Sequence, residues 1–497
     1  MRRERRALRP FTALLAGAAL LGLALPGQSV AAASSCVQHS GYWAPAGFVS
    51  VKAYGAAGNG RADDTAAVQC AVSSGSNVWF PTGRYEIAAS ISLPNALTVA
   101  GESDSATPTV IEATAPELVF GETPAGTNTT RTGTITIQDL FFDSIQVGVN
   151  GTRSSAVLQR DVFSDSHGYI SQLNSPATEQ LILNHIVGTN TVKDAVFLHG
   201  SQSTDAVPIS LYRTSNLTLQ QNIIGLYLPK LSWLDQWPGN PDWTNQSTNA
   251  AMNPSPASVA LATKLGTLQT ELVLDNSQGQ YRSGLYTGFD ANLTVDSNVI
   301  YADPGTPSLR DHAAYLKGVS GRYTQNWVQG WPDSAYGGIK LRNTDGPVTV
   351  GANYLNETPV LLYVYSDPTY PQDLQNIDAC SNTLNVTTYT DLAHEGIAYY
   401  ENVTPNGISN INYYGNTFID STHSTGVTLG QLSPATLRQS EADAFTVYTS
   451  NTFSDTGQTV PISAPAGIIL NATPGSPATD ACSGLTVPSY SLPAYGS

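Results

Sequence analysis

The chain has 497 residues, with 22 basic and 38 acidic side chains and a formal net charge of −16. So acidic a surface repels nucleic acid and anionic membranes, which removes phosphate-backbone binding from the functions to consider. The length allows three ordinary domains or one elongated repeat architecture.

The first element is a leader. MRRERRALRP is basic, FTALLAGAALLGLAL is an apolar run of 15 residues, and SVAAASS offers small-residue cleavage sites near Ala33. Residues 1–33 therefore read as a secretory signal peptide, too short for a spanning helix. Its removal leaves 17 basic and 37 acidic residues and a formal charge of about −20 on residues 34–497, expected as one secreted domain. No later run is long and apolar enough to cross a bilayer, so no membrane partner is expected. Cys36, Cys70, Cys380 and Cys482 all follow the leader. In an oxidising compartment they are expected as two bridges, and of the three pairings Cys36–Cys70 with Cys380–Cys482 is favoured because each would tie one end of the chain to the body. None of the four is close enough to another in sequence to suggest zinc.

Next comes VKAYGAAGNGRADDTAAVQCAV (51–72), followed by PTGRYEI (81–87). Asp63 or Asp64 is placed to N-cap a short helix, Thr65–Val72, whose Ala67, Val68 and Ala71 form a small apolar face. Gly55, Gly58 and Gly60 read as turn residues. Without a buried strand before them they are weak evidence for a phosphate cradle.

From Asp139 onward a short alternating run, a polar residue and two apolar residues recur, as in ITIQDLFF, LTLQQNIIG, LTVDSNVIY and INYYGNTFI. The polar slot falls at Asp139, Asp161, His185, Asn222, Asn298, Asn326, Asn353, Asn382, Asn416 and Asn451. The shortest interval is 22 residues, and longer ones imply inserted loops. Strand periodicity without crossover helices points to an all-β parallel β-helix, a single domain of about ten or more coils, each burying its apolar side chains against its neighbours. Residues 48–90 are then the cap and first coil, with the short helix closing the open end of the β-helix. A repeated asparagine can bond neighbouring turn backbone and the next asparagine. The longest interval contains an insertion, 226–280, in which Trp233, Trp237 and Trp243 crowd together as a groove wall or a structural flap.

A second strand per coil also aligns: AVFLHGS, SGLYTGF, AAYLKGV, GGIKLRN, PVLLYVY and GIAYYEN. If Leu198, Leu316 and Leu341 face the core, alternation turns Phe197, His199, Tyr315, Lys317, Lys340 and Arg342 outward, with Tyr286, Tyr363 and Tyr365 extending the ladder. Two of the chain's six lysines converge there. A cationic, aromatic groove suits an anionic sugar polymer.

The stretch VKAYGAAGNGRADDTAAVQ followed by VWFPTGRYEI resembles the entrance motif of the pectate-lyase-like superfamily. The resemblance implies a right-handed parallel β-helix and a polysaccharide substrate. Further on, YLKGVSGRYTQNWVQG followed by GGIKLRNTDGPVTVGANY resembles the active-site coils of the chondroitinase B and alginate lyase family. That likeness implies β-elimination on an acidic polysaccharide, with Lys317 as base and Arg342 on the uronate carboxylate. Tyr315 or Tyr336 would protonate the leaving oxygen, and like charges from Lys340 and Arg342 would disfavour the ammonium form of Lys317. His199, Tyr286, Lys340, Tyr363, Tyr365, Trp233, Trp237 and Trp331 are the substrate-binding candidates. The sequence departs from the family where Asn343 and Thr344 follow the arginine, and where Arg310, Asp311 and His312 stand in place of acidic calcium ligands. The expectation is no cofactor, with calcium as the exception the family would supply. The alternative reading is a glycoside hydrolase using carboxyls drawn from Asp194, Asp311, Asp345 and Glu395. A second alternative is a non-catalytic carbohydrate-binding β-helix.

Overall fold

The computed structural model describes residues 36–102, 109–122, 131–152, 154–164, 170, 178–199, 206–227, 243–244, 268–269, 283–288, 290–301, 312–330, 338–368, 370–385, 395–424, 426–431 and 435–488. The proposed leader and most of the 226–280 insertion lie outside them. Of that insertion, Trp243–Thr244 pairs in parallel with Leu268–Gln269.

Three long sheets run through the molecule, of 13, 13 and 11 strands among the described residues, and successive coils pair in parallel throughout each. A coil passes through the first, second and third sheet in turn. One example is Leu293–Asp296, Val299–Tyr301 and His312–Lys317. Inward side chains stack coil on coil. Phe120, Phe142, Phe163 and Phe197 form one such column, with ring centroids 5.4, 5.6 and 4.7 Å apart. Phe197 thus faces the core, the reverse of the expected outward placement. The expectation failed because Val196–His199 belongs to the second sheet and pairs with Ile223–Tyr227, with a register shift after Phe197.

The corner between the first and second sheets is made by two residues. The first has positive φ, as at Gln221 (57°), Ser297 (56°), Gln325 (54°), Ala352 (52°) and Ser381 (53°). The second is Asn222, Asn298, Asn326, Asn353 or Asn382, continued at Asn416 and Asn451, and all seven are fully buried. From Asn298 onward each Oδ1 accepts both the backbone N–H and the side-chain Nδ2 of the asparagine one coil before it, at 2.8–3.1 Å. Each Nδ2 also donates to a carbonyl such as Val295 O or Tyr323 O. The ladder saturates groups that a buried two-residue turn would otherwise leave unpaired.

Two slots of the sequence pattern are displaced. Asp139 is the positive-φ residue of its corner (60°), and the slot itself holds Leu140. His185 follows the third-sheet strand Thr178–Asn184, so it turns a different corner, and Ala195 occupies that coil's ladder position. Asp161 is in place, with its carboxylate accepting from Leu140 N and Gln159 N, both at 3.1 Å.

The helix Thr65–Val72 forms as expected, burying Val68, Ala71 and Val72. Asp63 accepts from Thr65 N at 3.0 Å, whereas Asp64 turns back to hold Ala57 N and Gly58 N at 2.6 and 3.0 Å. The glycines at 55, 58 and 60 all have positive φ, as turn residues should. At the other end, Cys380 and Cys482 form a disulfide that closes a separation of 102 residues. Gly351 makes room for it, since a Cβ there would lie 2.2 Å from Cys482 Sγ. Cys36 and Cys70 are each disulfide-bonded as well.

Asn353→Ala removes the acceptor for Asn326 N and the donor to Tyr323 O, leaving buried backbone groups unpaired. We expect a loss of about 3 kcal/mol or more in urea unfolding. A second expectation concerns Asp290, whose burial pushes its carboxyl up to about 8, although Thr214 N and Gly288 N donate to it. The folded state then keeps a proton that the unfolded chain releases near its ordinary value of about 3.9. Stability should therefore fall as pH rises from about 4 to 8, and Asp290→Asn should flatten that slope in melts taken across the range.

Candidate active site

The third sheet carries most of the candidate residues on its outer face. Strands Ser283–Gly288, His312–Lys317, Ile339–Arg342 and Val360–Val364 lie side by side. Their register places Tyr286, Tyr315, Lys340 and Leu361 in one row, and Gly288, Lys317, Arg342 and Tyr363 in the next but one. The intervening row, Leu316, Leu341 and Leu362, is core. Alternation along a strand therefore turns Tyr315, Lys317, Lys340 and Arg342 outward, as the sequence suggested.

These side chains are largely covered. The side chains of Lys317 and Arg342 are 16% and 18% exposed, and Lys340 is 6% exposed overall. Lys340 Nζ lies 4.3 Å from the ring centre of Tyr363 and 5.8 Å from that of Tyr315, a cation held between two aromatic faces. The Arg342 guanidinium stacks 4.6 Å from the Tyr365 ring and donates through Nη1 to the Tyr315 hydroxyl. Its Nε is buried and has no hydrogen-bond partner among the described residues. Beyond Tyr363 the outer face becomes apolar, with Leu361 and Ala398 packed under Tyr363, Tyr365 and Tyr400.

The cluster is not the bare set of cations that the sequence suggested. Asp367, with a side chain 5% exposed, forms an ion pair with Lys317 and reaches Arg342 Nη2 at 3.5 Å. A carboxylate so placed offsets the repulsion between two cations on adjacent strands. Sequence patterning missed Asp367 because it stands on a loop, after Ser366 and before Pro368, where no strand alternation assigns a direction. His312 was also missed as a site residue. Ala313 N and Ala314 N both donate to Gly338 O, an irregularity that interrupts the alternation between His312 and Tyr315. The His312 ring lies 5.0 Å from that of Tyr315.

The loop bearing Asp367 is fixed at both ends. Fully buried Asn343 accepts from Tyr365 N at 3.0 Å and donates to Tyr365 O at 2.8 Å. On the far side the Tyr370 ring covers Gly318, where a Cβ would lie 2.6 Å from it and where φ is +59°. The Tyr370 hydroxyl donates to Asp345 at 3.1 Å, and burial together with Asp345 pushes that phenol up from its ordinary value.

The other candidates are dispersed. Asp194 occupies a positive-φ corner several coils away, and Asp345 is an exposed turn residue. The strand carrying His199 is in the second sheet, so the residue does not extend the row of Tyr315 and Lys340. The side chains of His199, Tyr286 and Glu395, and all of Asp311, Tyr336, Trp233, Trp237 and Trp331, lie outside the description; so does the side chain of Trp243. Calcium does not fit the described residues. The carboxylate beside Lys317 is shared by two cations, and the one group of potential ligands, Cys380, Asp480 and Cys482, includes a disulfide.

Residues 48–205 match the family model described as rhamnogalacturonase A/epimerase, pectate lyase-like. With three parallel sheets wound coil on coil, the chain is a right-handed parallel β-helix. A pre-neck appendage protein of Bacillus phage B103 is 42% identical over 53 residues, 11% of this chain and 6% of that protein's length. Among solved structures, the surface adhesin PfbA of Streptococcus pneumoniae is similar at 13% identity and TM-score 0.42, covering 77% of this chain and 93% of the adhesin. A family 28 exopolygalacturonase of Yersinia enterocolitica is similar at 9% identity and TM-score 0.39, covering 85% and 79%. The catalytic unit of a GH87 alpha-1,3-glucanase from Streptomyces thermodiastaticus is similar at 12% identity and TM-score 0.36, covering 91% and 72%. Identities this low carry no information on activity.

Asn343→Ala should release the loop bearing Asp367 while leaving the coils intact. Hydrogen exchange is the measurement: the Tyr365 amide should lose its protection, and amides of the ladder corners should keep theirs.

Proposed function

We propose that this protein is a secreted lyase that cleaves an acidic, uronate-containing polysaccharide by β-elimination at the outer face of the third sheet. The observation that carries this reading is the registered pair Lys317 and Arg342, with Tyr315 bonded to Arg342. Export is supported by the leader-like N-terminus and the disulfide, and no helix among the described residues is long and apolar enough to cross a membrane. The likeness to the chondroitinase B and alginate lyase coils points to the same residues.

The chemistry follows from what elimination needs. The C5 proton of a uronate is weakly acidic, so its carboxylate must be neutralised and a base brought close. Arg342 is the group for the carboxylate. It is always charged, and its planar guanidinium matches the two oxygens of a carboxylate. Lys317, as an amine, takes the C5 proton. The C4–O bond then breaks, a C4–C5 double bond forms, and the leaving oxygen takes the proton of Tyr315. That hydroxyl is suited to donate, because its oxygen already accepts from Arg342. Lys340, between the rings of Tyr315 and Tyr363, holds the aromatic wall and adds positive potential.

Hydrolysis needs two carboxyls on either side of the scissile bond, about 5–9.5 Å apart. Asp194 and Asp345 stand on different coils, and Asp367 is already shared between two cations.

The test is a screen of uronate polymers that records the ultraviolet absorbance of the unsaturated product together with new reducing ends. Elimination gives both. Reducing ends alone would replace it with hydrolysis, and neither signal on any polymer would favour a binding protein. Lys317→Ala should remove nearly all turnover without loss of fold, since an outward side chain supports no core packing. Arg342→Lys should lower turnover about 100-fold or more, because an ammonium cannot give the two-pronged contact. Asp345→Asn should be mild.

A further inference from the structure

We propose that Asp367 is the positioning residue of this site, the fixed anion that holds Lys317 against Arg342 and accepts the proton Lys317 must shed before it can act as a base. The proposal rests on the elimination reading and adds to it a residue and a charge requirement.

Three observations carry it. Lys317 and Arg342 are direct partners across adjacent strands, so two cations stand about 4.8 Å apart at their backbones. Left alone they would splay toward solvent, yet both are held under cover. Asp367 touches both of them and is itself buried. Its loop is not free to swing away: Asn343 clamps Tyr365 on one side, and Tyr370 sits on Gly318 immediately after Lys317 on the other. Asp367 is therefore a built part of the site and no passing counter-ion.

The proton count closes. The count starts from the ion pair of Lys317 with Asp367. A uronate carboxylate arriving at Arg342 brings a second anion beside Asp367, and like-charge repulsion lowers the cost of moving the proton from Nζ to Asp367. The pair becomes an amine and a carboxylic acid with no change in net charge. The amine takes the C5 proton and is an ammonium again, while Tyr315 protonates the leaving oxygen. The proton on Asp367 then returns through solvent to the Tyr315 phenolate, and all three residues end as they began. Sharing Arg342 also weakens ground-state binding of the substrate carboxylate, so the resident anion has opposite effects on binding and on turnover.

Asp367→Asn tests both halves. It keeps the side-chain shape while removing the charge and the proton acceptor. On a uronate polymer that the wild type cleaves, kcat should fall about 100-fold, KM should fall rather than rise, and Asp367→Glu should recover part of kcat. An unfolding midpoint like that of the wild type shows that the change is not loss of fold. Wild-type kcat in Asp367→Asn, or a KM that rises with it, would overturn the proposal. Free galacturonate titrated calorimetrically into both proteins separates this outcome from failure of the elimination reading. If the wild type yields no unsaturated product from any uronate polymer, elimination fails. The charge-sharing role is then decided by titration: tighter binding by Asp367→Asn sustains it, and equal or undetectable binding by both overturns it.

Discussion

The buried asparagine ladder is the constraint on which the rest of the molecule depends. A β-helix must turn its chain sharply between sheets, and it must do so inside the protein, where water cannot satisfy the turn. One residue in the left-handed region makes the bend, and the asparagine after it supplies both a donor and an acceptor to its neighbours. Because each rung from Asn298 to Asn416 bonds the one before and after it, a slip of one coil would unpair two rungs at once. The ladder therefore fixes coil-to-coil register as well as the turn.

Register is what makes a surface site on such a fold. Lys317 and Arg342 are 25 residues apart in sequence, yet the pairing of their strands brings them side by side on the outer face. The same pairing places Tyr363 next in the row and Leu361 beside Lys340. Core alternation thus does double duty. With Leu316, Leu341 and Leu362 committed inward, the residues on either side of them have one direction left to point.

The coils do not by themselves keep two cations together. That task falls to a loop, and the loop is held by groups that resemble the ladder in kind: a buried asparagine bonding both polar groups of one backbone residue, and an aromatic ring resting on a glycine. Asn343 follows the site arginine directly, so the strand that presents Arg342 also anchors the loop that neutralises it. Site and scaffold are coupled through adjacent residues.

The sequence by itself determined the β-helix, the short helix Thr65–Val72, the asparagine corners from Asn222 to Asn451 and the outward row of Tyr315, Lys317, Lys340 and Arg342. All of these are written in short-range patterns: a period of two, a two-residue turn, a capped amphipathic stretch. It misplaced Asp139, His185, Phe197 and His199. A polar residue after a strand looks alike at any corner, and the text does not say which of three sheets a strand joins. Only the tertiary structure decided that Asp367 meets the cation pair, that His312 lies against Tyr315 and that Asn343 holds the loop at Tyr365. Asp367 and Asn343 stand beyond the regular strands, and His312 sits before a local irregularity in its own strand. Side-chain direction at such positions is set by contacts between distant segments, which leave no periodicity behind.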